Sequence, residues 1–472
     1  MLLVDVTACL SEKRPMILDL IAAQRKVRKE TTEMLAMQRR CDIEDTARMV
    51  QASMARGGSR QRSARVVWVG DGGKFWEVAD GSASTESSST ELTDEFGRSV
   101  SSVASSTGPQ ALRMQARTAR WESRTVHSPW HALGEQSFER SNQRETVVLD
   151  ASGILFDDVR QDLRENTELR RMFRAWSVDF HSDFEMTFGA LCMPEIFEWY
   201  ARVSLLRWNP LQPFDLSAQD QTAAAILNWK HQDQHDHDHN DDHHDVGSSG
   251  STVVEHWSRT ESLVVSSLVR SCLAPHVQWH VEEVWDPGFP EQTEALVCVV
   301  SRLKENFDNL ASDADWIGDS VEVYRTLVHS ITTRLERCIT DLKIPKVVVE
   351  AASSDGSSSD GTAVAPSMGE MEQDCIKAHF LHAAKVGVSV LHCADMNMLS
   401  EDACRTLLCV KLGTNLLIPC ITGAACIDYL PELLQQLFSF RVNFAKGQNK
   451  NKRGPSFRLW NEFEQMLTTS AQ

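Results

Sequence analysis

The run His231 to Asp245 reads HQDQHDHDHNDDHHD and is the densest collection of potential ligands in the chain. Neutral imidazoles interleaved with carboxylates can hold zinc, nickel or copper. A structural site needs about four ligands on a fixed backbone. This run has no apolar residue to fix it, and it leads into the Gly/Ser stretch Gly247 to Thr252. The expectation is a disordered interhelical loop, with adventitious or regulatory metal binding as the alternative. His379, His382, His392 and Cys393 form a second group on one predicted helix. His379 and His382 share a face at i, i+3, whereas His392 lies about three turns away, so satisfied core or surface histidines are expected. Gly70-Asp71-Gly72-Gly73-Lys74 lacks the spacing and the Ser/Thr of a phosphate loop. No H-E-x-x-H, G-x-S-x-G or dinucleotide fingerprint is present, and no carboxylate pair stands out as an acid/base couple. The expectation is a non-enzymatic protein with no cofactor, no structural metal and no small-molecule substrate.

The elements that would position any site are helices. The stretch Leu191 to Pro213 has an apolar run, a proline, an aromatic-rich helical run and a stop at Trp208-Asn209-Pro210. It recurs in altered form from Cys272 to Pro290, with a stop at Trp285-Asp286-Pro287. Asn or Asp before Pro leaves the αR region, so each is a helix end whose tryptophan anchors the last turn. Repeated helical modules suit a binding scaffold. Of the thirteen tryptophans, Trp176, Trp199, Trp208, Trp257, Trp279 and Trp285 fall at helical positions. They are core anchors or, alternatively, exposed hot spots for a protein partner.

Composition permits a sizeable core: of 472 residues, 42% are hydrophobic and 24% charged. The formal charge of −18 opposes nonspecific wrapping of DNA, which needs clustered cations, but leaves room for a local basic patch. Twelve cysteines without a CxxC pair, mostly in apolar runs, read as buried free thiols of a reducing compartment. Leu2 to Leu10 is interrupted by Asp5 and followed by Glu12, Lys13 and Arg14, unlike a secretory signal. The most apolar window, Thr406 to Ala425, contains Lys411, Gly413, Asn415 and Pro419 and is expected to be a core helix and a turn rather than a membrane span.

Residues 1–50 predict one helix in which Ile17, Leu20, Val27 and Met34 keep a heptad-like spacing. Gln24 and Thr31 occupy the seam, so a coiled coil would be weak. This helix carries Arg25, Lys26, Arg28, Lys29, Arg39 and Arg40, either a solvated face or a contact for a partner or nucleic acid. Residues 51–148 are Ser-rich and arginine-dotted, predicting a disordered linker with an ordered piece at Val66 to Trp76. Residues 149–445 predict a helical domain with disordered loops at 231–252 and 351–369. Ile154, Phe156, Val159, Leu163, Leu169, Phe173, Trp176 and Phe180 recur as one buried face would, and Phe184, Phe188, Leu191 and Cys192 continue the pattern. Further helices are predicted at 263–284, with Pro275 as a kink or restart, and at 294–307, 320–341, 374–393, 401–417 and 431–440. Val347 to Val349 alone reads as extended, too little for a sheet. Residues 446–472 hold a basic tail, Lys446 to Arg453, and a terminal helix over Phe457 to Met466. The tail is a nuclear-import or RNA-touching segment, or a solvated tail with no function. The fold class expected is all-α, as stacked antiparallel helix pairs.

Three groups of residues resemble the GC-rich sequence DNA-binding factor (GCF-C domain) family, in its Pax-binding and plant polyploidy-control branch. Cys9-Leu10-Ser11-Glu12-Lys13-Arg14-Pro15 with Gln38-Arg39-Arg40 and Asp42-Ile43 is similar to the family's coiled region. Phe156-Asp157-Asp158-Val159 through Trp176, Leu191-Cys192-Met193-Pro194 and Leu206 to Leu211 resemble the start of its domain. Leu273-Ala274-Pro275, Trp285-Asp286-Pro287 and Gln292-Thr293 resemble its middle. The glycine-rich G-patch of the sister tuftelin-interacting branch is not evident. The family's long acidic amino-terminal region does not precede the helix in this sequence. The resemblance implies a nuclear, non-enzymatic helical protein of the late spliceosome, acting around release of the excised intron lariat with spliceosomal proteins as partners. RNA or DNA contact remains open, and members have also been described as transcription factors or adaptors. On this reading Arg25, Lys26, Arg28, Lys29, Arg39 and Arg40, with Trp208-Asn209-Pro210 and Trp285-Asp286-Pro287, are the candidate partner-binding residues.

Overall fold

The computed structural model describes residues 2–56, 64–70, 75–77, 135–164, 166–212, 250–310, 317–349, 370–421 and 455–471. The predicted helix at 431–440, the basic stretch Lys446 to Arg453, the His/Asp run at 231–245 and the loop at 351–369 lie outside them, as does most of the predicted linker. Most described residues are helical, as the sequence predicts.

Helix α1 covers Leu2–Arg56. Leu, Met, Ala, Arg, Lys and Glu dominate it, no glycine interrupts it, and Gly57-Gly58 follows its last residue. Further elements are β1 Ala64–Val69, β2 Phe75–Glu77, α2 Glu135–Gly153, α3 Asn166–Asp179, α4 His181–Met186 and α5 Gly189–Leu205. They are followed by α6 Gly250–Leu268, α7 Ala274–Glu283, α8 Pro290–Leu310, α9 Ile317–Asp341, β3 Ile344–Val349, α10 Glu370–Asp395, α11 Glu401–Arg405, α12 Ile418–Ile421 and α13 Pro455–Ala471. A π-helical turn, Val269–Leu273, joins α6 to α7. It sits just ahead of Pro275, where the wider turn absorbs the missing N–H and the ring that proline introduces. The helix thus runs on through Pro275 by way of this π-helical turn.

The chain divides into two compact units. One comprises Met1–Thr31, Gln136–Trp285 and Ala295–Ile331. Its core holds Leu169, Phe173, Phe184, Met193, Phe197, Leu206, Leu268 and Leu273 at full burial. Tyr200 stacks on Phe156 and donates its hydroxyl to the Leu163 carbonyl at 2.7 Å. The predicted buried face at 154–191 is only partly a core. Phe173 and Phe184 are buried, but Ile154, Phe180, Phe188 and Leu191 stand in solvent. The helices there are short, and each restart rotates the face, so a single period cannot be carried through them.

The other unit comprises Thr32–Glu135, Asp286–Glu294 and Thr332–Gln472. Leu408, Leu412, Leu416 and Leu417 on the π-helical stretch Thr406–Leu417 are buried, as are Leu459 and Phe463 on α13, which packs against it. Glu401–Cys420 is long and apolar enough to cross a membrane by length and composition. Those leucines are instead spent on the chain's own core. Helix continues through Pro419, where a turn was expected.

This unit also contains a three-stranded antiparallel sheet in the order β2-β1-β3. The expectation of too few strands for a sheet is corrected by this ribbon. Its β1 and β2 fall on the ordered piece expected at Val66 to Trp76 within the linker, and β3 enlarges the extended stretch expected at Val347 to Val349. The pairing Val67↔Lys346 joins segments far apart in the chain, so no local signal marks it. Pro345 is tolerated because β3 is an edge strand.

Candidate partner-binding surface

Two polar nodes take up Arg28, Trp208, Arg39, Asp286 and Pro287 of the residues expected to meet a partner. The first is built around Arg28, 5% exposed on α1. Its guanidinium donates to Glu145 Oε1 at 2.9 Å, to the Trp208 carbonyl at 3.3 Å and to His280 Nε2 at 2.7 Å. Arginine has no acceptor, so His280 Nε2 must offer its lone pair, and the proton sits on Nδ1. Nδ1–H then donates to the His276 carbonyl at 2.8 Å. His276 Nε2–H donates to the Trp208 carbonyl at 3.4 Å, and its ring stacks on the Trp208 indole at 5.7 Å. Burial, then the neighbouring charge of Arg28, pushes His276 down to about 3. Burial, then His276 and Arg28, holds His280 well below the usual imidazole value. Both rings are neutral at physiological pH.

A histidine whose folded value lies below its unfolded value near 6.5 takes up its proton more readily when unfolded. Stability is therefore full above about 6.5 and falls as pH drops toward 3. At pH 5 His276 alone is expected to cost about 1–2 kcal/mol, reduced by the ring edge that still meets water. His276→Gln keeps a donor near the Nε2 position, and urea melts at pH 7 and pH 5 should differ less in this variant than in the parent.

Seam residues of α1 are satisfied within the same unit. Gln24 donates to the Leu206 carbonyl, and Thr31 Oγ1 meets Ser141 Oγ at 2.5 Å. Lys13 pairs with Asp158 at 2.5 Å. The heptad-like stripe thus packs onto its own domain.

The second node is Arg39 with Asp286. Their ion pair is flanked by Phe289, whose ring centre lies 5.9 Å from the guanidinium, and by His382 Nε2 at 3.5 Å. Burial alone would raise the Asp286 carboxyl. Arg39, then His382, and the Gly288 N–H donating at 3.0 Å hold it below the usual carboxylate range. The Pro287 carbonyl accepts from Ser389 Oγ at 2.8 Å, and Ser389 in turn accepts from Thr293 at 2.9 Å. A Cβ on Gly288 would lie 2.1 Å from His382 Cε1, so the imidazole occupies the space that glycine leaves. Gly288→Ala is expected to cost about 1–3 kcal/mol by displacing that ring, read as a lower urea midpoint.

The structure places only part of the expected partner-binding set at the surface. Trp208, Pro210, Trp285, Asp286, Pro287 and Arg28 are buried, and their tryptophans and prolines close helix ends inside the fold. Trp285 donates its backbone N–H to the His280 carbonyl at 2.7 Å, and Asn209 caps its own turn by accepting from the Leu211 N–H at 3.1 Å. Arg25 lies 5.3 Å over the Trp279 ring, and Lys29 pairs with Glu283 at 2.9 Å. Lys26 (4.0 Å from Glu30), Lys29 and Arg40 are the exposed cations of the set. Sequence reasoning missed Glu145, His276, His280, Gly288 and Ser389. The i, i+4 histidine pair was the one available signal.

Among the described residues no group of three or more His, Cys, Asp or Glu is placed to hold a metal ion. His382 serves the Arg39 node, and burial pushes His392 down to about 4. Burial also pushes the Cys272 thiol up to about 11 and that of Cys338 to about 12, which makes them poor nucleophiles at neutral pH.

No protein-family model matches this chain. It is 22% identical over 240 residues, 49% of its length, to the mouse protein named Intron Large complex component GCFC2, of which the match covers 28%. It is 19% identical to human PAX3- and PAX7-binding protein 1 over 71% of its length and 32% of that protein. The mouse counterpart is 21% identical over the same shares. The chain thus spans about a third of the length of these distant relatives, whose names support the GC-rich-binding family.

Proposed function

We propose that the chain is a nuclear, non-enzymatic scaffold in pre-mRNA splicing, acting in late spliceosome or lariat-intron complexes through protein–protein contacts. The observation that carries this is its likeness to a protein named as a component of the intron large complex. The disposition of α1 agrees with it, because Arg28, Lys29 and Arg39 are engaged in ion pairs and Arg25 lies over an indole. DNA readout requires arginines that reach base edges and phosphates. A second reading, an adaptor for transcription regulators, is favoured by the relatives named for binding PAX3 and PAX7. Affinity purification of the tagged chain from nuclear extract separates the two. Spliceosomal proteins with lariat RNA are expected; recovery of transcription factors without either would favour the adaptor and end the splicing assignment.

A further inference from the structure

Between Ala175 and Ala201 the chain carries Asp179, Asp183, Glu185, Glu195 and Glu198 and has neither lysine nor arginine. Within that acidic stretch large apolar side chains stand in water: Val178, Phe180, Met186, Phe188 and Leu191, with Phe188 68% and Leu191 71% exposed. They lie where α3 ends, along the six-residue α4 and at the start of α5. Asp179, Asp183, Glu185 and Glu195 are exposed among them.

The turn that presents Phe188 is built, not frayed. Its φ of 55° is left-handed, a conformation that glycine or asparagine adopts more readily than a phenylalanine. Gly189 has no Cβ, and one there would lie 2.5 Å from the Phe184 ring, so Phe184 packs on the bare backbone. That packing locks the turn and leaves Phe188 outside. An exposed ring in a strained backbone position contributes little to folding. Such rings accumulate where a surface is used.

We infer that the surface formed by Val178, Phe180, Met186, Phe188 and Leu191 binds a basic amphipathic helix of a partner protein. Apolar anchors of such a helix at i, i+3/i+4 and i+7 would cover the exposed side chains, while its lysines and arginines meet the surrounding carboxylates. A second copy of this chain is disfavoured, because a two-fold contact would set the same acids against each other. Nucleic acid and anionic membranes are repelled for the same reason. The inference rests on the protein-contact reading of function but on no particular complex.

The test is fluorescence anisotropy of the full chain with a labelled synthetic helix bearing Leu and Phe on one face and Lys and Arg on the other. A matched peptide with Glu on its polar face is the control. Binding of the basic peptide that weakens with salt is expected, with little binding of the acidic one. The triple variant Phe180→Ser, Phe188→Asn, Leu191→Gln should weaken it about tenfold or more. Asparagine suits the left-handed position, and an unchanged far-UV circular dichroism spectrum checks the fold. Equal binding of both peptides, or undiminished binding by the triple variant, overturns the inference. So does a parent dimer in sedimentation that the triple variant converts to monomer. If the peptide fails while splicing proteins are still recovered from nuclear extract, this surface is wrong and the scaffold reading stands.

Discussion

Replacing Trp285 by alanine is expected to lower the unfolding free energy by about 3–5 kcal/mol, as deletion of a fully buried aromatic does. Its side chain is completely buried, and its backbone N–H closes the end of α7 on the His280 carbonyl. The following Asp286-Pro287 pair turns the chain and engages Arg39 and Ser389. Trp279 is the comparison. Its ring is partly exposed beneath Arg25, and alanine there should cost about 1 kcal/mol, mostly the cation–π contact and some area. Urea midpoints of the two variants measure the difference. Equal losses would mean that the Trp-Asp-Pro segment is not an internal post.

Glu145→Ala is expected to cost about 3–5 kcal/mol, because it leaves the buried Arg28 guanidinium without its carboxylate. Burial lowers the Arg28 pKa first, and Glu145 opposes that shift through charge and hydrogen bonding. The loss should shrink in the double variant Arg28→Met, Glu145→Leu, since replacing both charges by apolar groups removes the desolvation penalty as well. His280 Nε2 and the Trp208 carbonyl would still lose a donor, so full recovery is not expected. Denaturant melts of the single and double variants at pH 7 make the comparison.

The helices were legible because their periods are long and their stops are chemically marked. Trp208-Asn209-Pro210 and Trp285-Asp286-Pro287 end helices as proline geometry requires. The seam of α1 was visible in Ile17, Val27, Gln24 and Thr31, but a heptad stripe does not say whether it packs on another chain or on its own domain. The arginines misled for a related reason. Charge is read at once from the sequence, whereas Glu145 and Asp286, which engage Arg28 and Arg39, lie more than a hundred residues away. The β1–β3 pairing was hidden by the same kind of separation. Phe180, Phe188 and Leu191 fitted a helical period, which cannot register the break at Phe180 between α3 and α4 or the left-handed turn at Phe188.

Arg28 and Arg39 of α1 and the Trp-Asn/Asp-Pro segments are engaged within the fold, and the proposed function assigns the binding of splicing proteins to the outer surface. Cross-linking mass spectrometry of the tagged chain in nuclease-treated nuclear extract tests it most directly. The account predicts cross-links from exposed lysines such as Lys26 to splicing proteins that survive nuclease treatment. Loss of all partners on nuclease treatment, together with salt-sensitive binding of a defined duplex that Arg28→Met and Arg39→Met abolish in folded protein, would contradict it.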